Sequence, residues 1–186
     1  LNNTVKSAED TALNTIDQYK TLRAYYTKNV VKKVKASSSE LKFSFNHNGT
    51  ENTLPLPATV IHDLSEEFSK KEGLKLRLYS EYPFPNRKSR VLDDFQKKAI
   101  QYFKKNPDGV FKKTYTQSGH EYVRVAISDK MQAKACVSCH NSHPQTPFNQ
   151  WKLSDVRGVL EVQAPIKKQI IANAQMTNKI QWISIL

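Results

Sequence analysis

The first 48 residues contain neither proline nor glycine, and this stretch constrains the fold more than any other part of the chain. Apolar and aromatic residues recur there at steps of three and four, the spacing that lines one face of an α-helix. The pattern predicts a single helix over residues 3–35, about 45 Å long, which is more than a compact domain needs. We expect it to pack on the domain at one end and on a partner helix at the other; the alternative is an ordinary amphipathic core helix. The positions on this face are Val5, Ala8, Ala12, Ile16, Tyr19, Leu22, Tyr26 and Val30.

The rest of the chain mixes helical and extended patterns. A loop with a short extended piece at 43–45 leads to a helix that begins near Pro57 and ends near Lys71, and a second helix is predicted over 91–105. Alternating patterns predict a strand at 74–78, a hairpin over 110–128 and a last strand in "VRGVLEVQAPI". This order predicts an α+β domain with a small antiparallel sheet and long N- and C-terminal helices.

Three parts follow from this pattern: an N-terminal helix (1–35), a core (36–165) and a C-terminal helix (166–186). The chain begins without Met and ends on the apolar run "IQWISIL", with Trp182 suited to a membrane interface. These ends favour a segment of a longer protein that stops where a membrane span begins, and an ordinary C-terminal core helix is the alternative. The mean hydropathy of -0.63 excludes an integral membrane domain.

The net charge of +12 raises the question of nucleic acid. The basic residues, however, are scattered along the chain as Lys pairs, whereas a surface that follows phosphates usually has one dense cluster or Arg-rich base readers. Diffuse lysines are typical of a solvated surface, including one near anionic lipid headgroups. We therefore predict no nucleic-acid partner.

Both cysteines of the chain lie in "KACVSCHNSHP", residues 134–144. Cys136, Cys139 and His140 form a CxxCH pattern, which is typical of covalent c-type haem attachment. Each thiol can add to a haem vinyl group, and the histidine that follows can bind the iron as proximal ligand. Chance would place two cysteines and a histidine in this pattern on the order of 3 times in 10,000. The motif therefore predicts haem c.

Three other uses of these side chains remain open. With His143, the motif offers four ligands for zinc, although typical zinc sites use two separated pairs. A thioredoxin-like CxxC would need a βαβ context and the start of a helix, whereas here a hairpin precedes the motif. A plain disulfide between the two cysteines is also possible if haem is never loaded.

The ligand on the other side of the iron is not decided by spacing. The main candidates are His62, Met131 and His47, and His120, His143 and Met176 are also available. An isolated histidine in a helix is more often hydrogen-bonded than a ligand, and methionine is more often core filler. If none of them binds, the sixth position is open to small gases. An apolar cleft beside His140 is expected to include Phe43, Phe45, Tyr79, Tyr82, Phe84 and Tyr122.

Several segments resemble a known family, among them "LRAYYTKNVVKKV", "RLYSEYPFPNRKSRVLDDFQKKAI" and "EYVRVAISDKMQAKACVSCHNSHPQTPFNQWKLSDVRGVLEVQAPI". The chain is similar, from about Leu22 to Ile166, to extracytoplasmic c-type haem sensor domains with a PAS-like fold. Such domains precede transmembrane helices in bacterial chemoreceptors, histidine kinases and nucleotide cyclases. The resemblance implies thioether attachment at Cys136 and Cys139 and His140 as proximal ligand. Some members are described with a distal cysteine, for which this chain has no third cysteine.

The resemblance implies a sensor rather than an enzyme, one that responds to redox state or a small gas. It also implies a periplasmic domain of an inner-membrane receptor, anchored through its flanking helices and homodimeric in the full-length protein. Two other functions stay open: a membrane-anchored monohaem electron carrier, and a PAS-like sensor of a small organic ligand. The sequence contains no HExxH, GxSxG or P-loop pattern.

Overall fold

The computed structural model describes residues 2–72 and 74–166. In this part of the chain the helices are α1 (Asn2–Tyr26), α2 (Lys32–Ala36), α3 (Pro57–Glu72), α4 (Asp94–Lys105) and α5 (Lys134–Ser142). The strands are β1 (Lys42–Ser44), β2 (Thr53–Pro55), β3 (Lys75–Tyr79), β4 (Val110–Gln117), β5 (His120–Lys130) and β6 (Val156–Pro165). A π-helical turn, Thr27–Val31, joins α1 to α2, and a 3-10 turn, Pro85–Arg87, precedes α4.

The main sheet has four antiparallel strands in the order β3-β6-β5-β4. The hairpin of β4 and β5 turns at Ser118 and Gly119, whose φ angles of 52° and 74° suit a tight two-residue turn. β3 and β6 approach closely at Gly158, where a Cβ atom would lie 2.5 Å from the Tyr79 carbonyl oxygen. Strands β1 and β2 form a separate parallel pair.

One face of the main sheet is covered by α1 and α3 and is wholly apolar at its centre. Because side chains alternate along a strand, every second residue of β5 and β6 points to this face. The small residues Ala8 and Ala12 and the larger Ile16 bring α1 onto it, and all three are buried. The strands contribute Leu76, Val123, Val125, Leu160, Val162 and Ala164.

The opposite face is covered by α4 and combines an apolar cluster with buried charge. Phe95, Ala99 and Phe103 pack there on the sheet. Beside them Glu161 is fully buried, and its Oε1 accepts hydrogen bonds from Arg124 Nε at 2.7 Å and from Arg77 Nη1 at 3.1 Å. A buried carboxylate needs such partners because its desolvation is costly.

The predicted α+β class, with its small antiparallel sheet and long N-terminal helix, is confirmed. The long helix runs as predicted but contains the π-helical turn, and the second predicted helix begins at Asp94 rather than at 91. Asp93 ends the preceding loop because its side chain and that of Gln96 form a reciprocal capping box. The predicted C-terminal helix falls, beyond Ile166, outside the described residues. Within the described part, no helix has the length and apolarity to cross a membrane.

Candidate functional site

The CxxCH motif lies on α5, between the end of β5 and the start of β6. A helix here was not predicted, so the argument that the motif lacks a helix start is wrong; the antiparallel neighbours β5 and β6 still differ from a βαβ unit. Because the helix repeats every 3.6 residues, Cys136, Cys139 and His140 share one face of α5. Both thiols are free; Cys136 is half-buried and Cys139 is exposed.

α5 is bound to the domain by few contacts. None of its nine residues, all of them described, is buried. Asn141 ties it to the following loop, since its Nδ2 donates to the Trp151 carbonyl at 2.9 Å and its Oδ1 accepts from the Trp151 amide at 3.0 Å. Trp151 in turn packs against Phe148 and Tyr82 with ring centroids 4.7 and 5.5 Å away. Polar contacts therefore fix the position of the motif more than apolar packing does.

His140 is directed toward the domain. Its Nδ1 accepts a hydrogen bond from Arg157 Nε at 3.2 Å, and its ring lies 5.6 Å from the Phe84 ring. Partial burial, reinforced by the positive charge of Arg157, lowers the pKa of His140 from 6.5 to about 4. The imidazole is therefore neutral near pH 7, and because Nδ1 accepts from Arg157, its proton lies on Nε2.

Arg157 is itself held on several sides. Its Nη1 donates to Ser80 Oγ at 2.5 Å and its Nη2 donates to the Tyr82 carbonyl at 2.8 Å. Burial lowers the pKa of Arg157, and the negative charge of Asp129 opposes this effect. A cleft of about 280 Å³ beside Arg157 is bounded by Tyr82, Phe148 and Trp151 and by the end of α4.

A second arginine connects the site to the long helix. Arg23 on α1 forms a two-pronged ion pair with Asp129 at the end of β5, with Nη1 3.0 Å from Oδ2. Burial lowers the pKa of Arg23, but attraction to Asp129, with a smaller contribution from Cys136, raises it overall. The charge on α1 thus lies within electrostatic range of the motif.

The three main distal candidates lie on different elements. His62 on α3 is half-buried, and burial together with Arg87 and Arg90 lowers its pKa to about 3. His47 Nε2 is 2.8 Å from Asp63 Oδ2, and Met131 is buried at the end of β5. Of the others, His120 stacks on Tyr122, His143 follows α5 directly, and Met176 lies outside the described residues. The distal ligand stays a prediction.

The expected aromatic cleft is partly assembled. Phe84 contacts both His140 and His143, and Tyr82 belongs to the aromatic cluster beside Arg157. The expectation is wrong for Tyr79, which packs in the α4-side core, and for Tyr122, which stacks on Tyr115. Tyr122 lies at the hairpin end of β5, opposite the strand end that leads into α5, and Tyr79 directs its ring into the α4-side core although its strand pairs with Val159. Phe43 is half-buried on β1, and Phe45 follows that strand and is exposed.

The geometry does not support the zinc alternative. Across residues 2–72 and 74–166, no three His, Cys, Asp or Glu side chains converge in a group that could hold a metal ion.

Three features of the site were not predicted from the sequence: Arg157, Asn141 and the ion pair of Arg23 with Asp129. Their partners are 10 to 106 residues away, and no spacing rule joins such positions.

Comparisons with known proteins identify a family to which the chain belongs and a solved structure with a similar fold. A family model described as Tll0287-like (Tll0287) matches residues 2–165. Among solved structures, the crystal structure of the cyanobacterial haem protein Tll0287 is similar, with a TM-score of 0.54 and 17% sequence identity. The match covers 82% of this chain and 91% of that chain, and at this identity it shows a shared fold. A search of curated proteins finds no match.

Proposed function

Because the chain belongs to the Tll0287-like family, we propose that it is a sensor domain that carries haem c on its CxxCH motif. The observation that carries the proposal is the arrangement of α5. Two free thiols and a neutral imidazole share one face of a helix that has no buried residue. The haem of Tll0287 itself supports a haem in this family.

The residues present fit the chemistry of covalent attachment. Each thiol, of Cys136 and Cys139, would add across a vinyl group: the S–H bond and the vinyl π bond break, one C–S bond and one C–H bond form, and no group leaves. His140 would hold the iron, and since its Nδ1 accepts from Arg157, the ring would first have to give up that hydrogen bond or its Nε2 proton. A bound haem would supply a redox-active iron centre. Phe84, Tyr82 and Trp151 offer aromatic surface beside it.

A sensing role is supported by the way the site meets the N-terminal helix. Asp129, at the strand end that leads into α5, holds Arg23 on α1. A change in the charge or position of α5 would act on this pair, and a long helix can carry a small rigid-body shift over its length. We propose that redox state or a small gas is the signal, and that the domain lies in the periplasm as part of an anchored, homodimeric receptor.

A second candidate function is electron transfer by a membrane-anchored monohaem carrier. The exposure of Cys139 favours it, because a haem attached at an exposed thiol presents an edge to partner proteins. A carrier would exchange electrons rapidly with a soluble redox partner, and removal of the pair of Arg23 with Asp129 would leave that rate unchanged.

Absorption spectra test the haem proposal. The chain is produced with the periplasmic haem-attachment machinery, and a pyridine haemochrome spectrum is recorded after denaturing purification. We expect a covalent c-type band in the wild type, with its loss in the double variant Cys136→Ser, Cys139→Ser. The variant Ser138→Ala, within the same helix, is the matched control and keeps the band. Absence of the band from the wild type would overturn the proposal.

A further inference from the structure

We propose that the cleft between Arg157 and the end of α4 binds a small organic carboxylate, with the carboxylate group against the Arg157 guanidinium and the apolar part of the ligand against the Trp151 ring. The inference goes beyond the proposed haem function, because binding of a free carboxylate can be measured in the haem-free protein. The same chemical group also occurs on haem itself, as its propionate side chains, so the ligand has two conceivable sources.

Arg157 is a half-buried cation that donates only to neutral groups among the described residues. Its three bonds go to a serine hydroxyl, a main-chain carbonyl and a neutral imidazole. The nearby carboxylate of Asp129 is already bound by Arg23. A charge taken out of water is normally paired, so Arg157 lacks a counter-ion that an anion could supply. A guanidinium has five N–H donors, and the three bonds leave two of them for such an anion.

Arg157 lies on the wall of a cleft of about 280 Å³. Drug-sized ligands need about 300–1,000 Å³, so this cleft suits a smaller molecule. The other charged side chains of the lining are engaged elsewhere. Lys104 Nζ lies 2.8 Å from Glu81 Oε2, and Asp155 Oδ2 accepts from the Lys152 amide at 2.7 Å. Arg157 is therefore the charge of this wall that a ligand can neutralise.

The rest of the lining is rich in aromatic surface, which favours a ligand with an apolar body. The rings of Tyr82, Phe148 and Trp151 lie with their centres 4.7 to 5.5 Å apart. A cluster of rings can also attract a cation. Here, however, the Arg157 guanidinium carbon already lies 5.1 Å from the Trp151 ring centre, and it would repel a second cation. Because a guanidinium is planar and its donors match a carboxylate, an organic carboxylate fits both parts of the cleft.

Titration of the haem-free protein with three small probes tests the site. The protein carries Trp182→Phe, so that Trp151 is the one tryptophan of the chain and its fluorescence reports on the cleft. Benzoate is expected to bind. Benzamide, which has the same shape without the charge, and benzylammonium, which has the opposite charge, should each bind at least tenfold more weakly. Absence of benzoate binding, or equal affinity for benzamide, would overturn the inference, and this comparison needs no change in the cleft.

Substitution of the arginine tests the same point from the side of the protein. Arg157→Met should weaken benzoate binding at least tenfold, and Arg157→Lys, which keeps the charge without the planar fork, should weaken it less. Arg90→Met is the matched control, because it removes the same charge from an exposed arginine that donates to the Leu78 carbonyl, and it should keep the wild-type affinity. Wild-type affinity in Arg157→Met would also overturn the inference.

Resonance Raman spectroscopy of the haem-loaded protein distinguishes the two sources of the carboxylate. A haem propionate bound by Arg157 predicts that the propionate bending band shifts in Arg157→Met but not in Arg90→Met. A free carboxylate as the ligand predicts the same band in both variants, together with benzoate binding that persists after haem is attached. If no sample attaches haem, the proposed function fails, and the titrations of the haem-free protein still decide whether the cleft binds a carboxylate.

Discussion

The sheet and the motif helix are stabilised in opposite ways. Strands β5 and β6 are buried along most of their length between α1 and α3 on one face and α4 on the other. The motif helix α5 directly connects these two strands, yet none of its residues is buried. Its position depends on the hydrogen bonds of His140 and Asn141 and on the contact with Phe84.

This difference suggests how the two regions divide their roles. A packed sheet resists displacement because its contacts are numerous and dense. A helix held by a few polar contacts can acquire its packing from a bound group, and its local stability then depends on that group. We infer that the sheet is the fixed frame and that α5 responds to the cofactor.

The largest effect is expected from Glu161→Ala, in the sheet. The substitution leaves Arg124 buried without its strongest partner, so the free energy of unfolding should fall by about 3–5 kcal/mol. Urea unfolding at pH 7 measures it. Lys70→Gln, which breaks only an exposed pair with Glu67, is the control and should cause no measurable change. Equal effects of the two substitutions would show that the buried ion pair of Glu161 with Arg124 does not stabilise the sheet.

Cavity formation compares the two regions directly. Ile16→Ala empties space in the core beneath the sheet and should lower the free energy of unfolding by about 2–5 kcal/mol. Val137→Ala on α5, a half-buried position, should cost below about 1 kcal/mol in the haem-free protein. Chemical denaturation of both variants checks this. A larger cost at Val137 would mean that α5 already has a core of its own.

The stability of the haem-free protein should depend on pH through His62. Its folded pKa, about 3, lies below the unfolded value of 6.5, so the unfolded chain binds a proton that the folded chain does not. Stability is therefore lost as pH falls from about 6.5 toward 3. Between pH 6.5 and 5 the loss should be about 1.5–2 kcal/mol, and His62→Gln should remove this part of the slope. An unchanged slope in His62→Gln would show that His62 titrates normally.

Asn141→Ala should have the smallest effect. It removes two hydrogen bonds to the Trp151 backbone and should lower global stability by only about 1 kcal/mol. Hydrogen exchange of the α5 amides should nevertheless become faster, because α5 loses one of its few anchors. Asn106→Ala, at the end of α4, is a control that should leave exchange in α5 unchanged. Slower or equal exchange in Asn141→Ala would contradict the anchoring role.

The sequence predicted the sheet well because its signals are local. The alternation in "VFKKTYTQSGHEYVRVAIS" marks two strands, and Ser118 with Gly119 marks the turn between them. The CxxCH motif was also recognised from the sequence. The helix that carries it was not, because "KACVSCHNS" is short and has no side-chain cap at Ala133. Arg157 could not be predicted as the partner of His140, since only the pairing of β6 with β5 and β3 brings it there.

Amide hydrogen exchange, compared between haem-loaded and haem-free protein, tests the central claim most directly. If a haem on Cys136 and Cys139 supplies the packing that α5 lacks, exchange over Lys134–Ser142 should slow at least tenfold on loading. Exchange in the centres of β5 and β6 should stay the same, because the sheet is already packed. Equal exchange of α5 in the two samples, or slowing spread evenly over the sheet, would contradict the account.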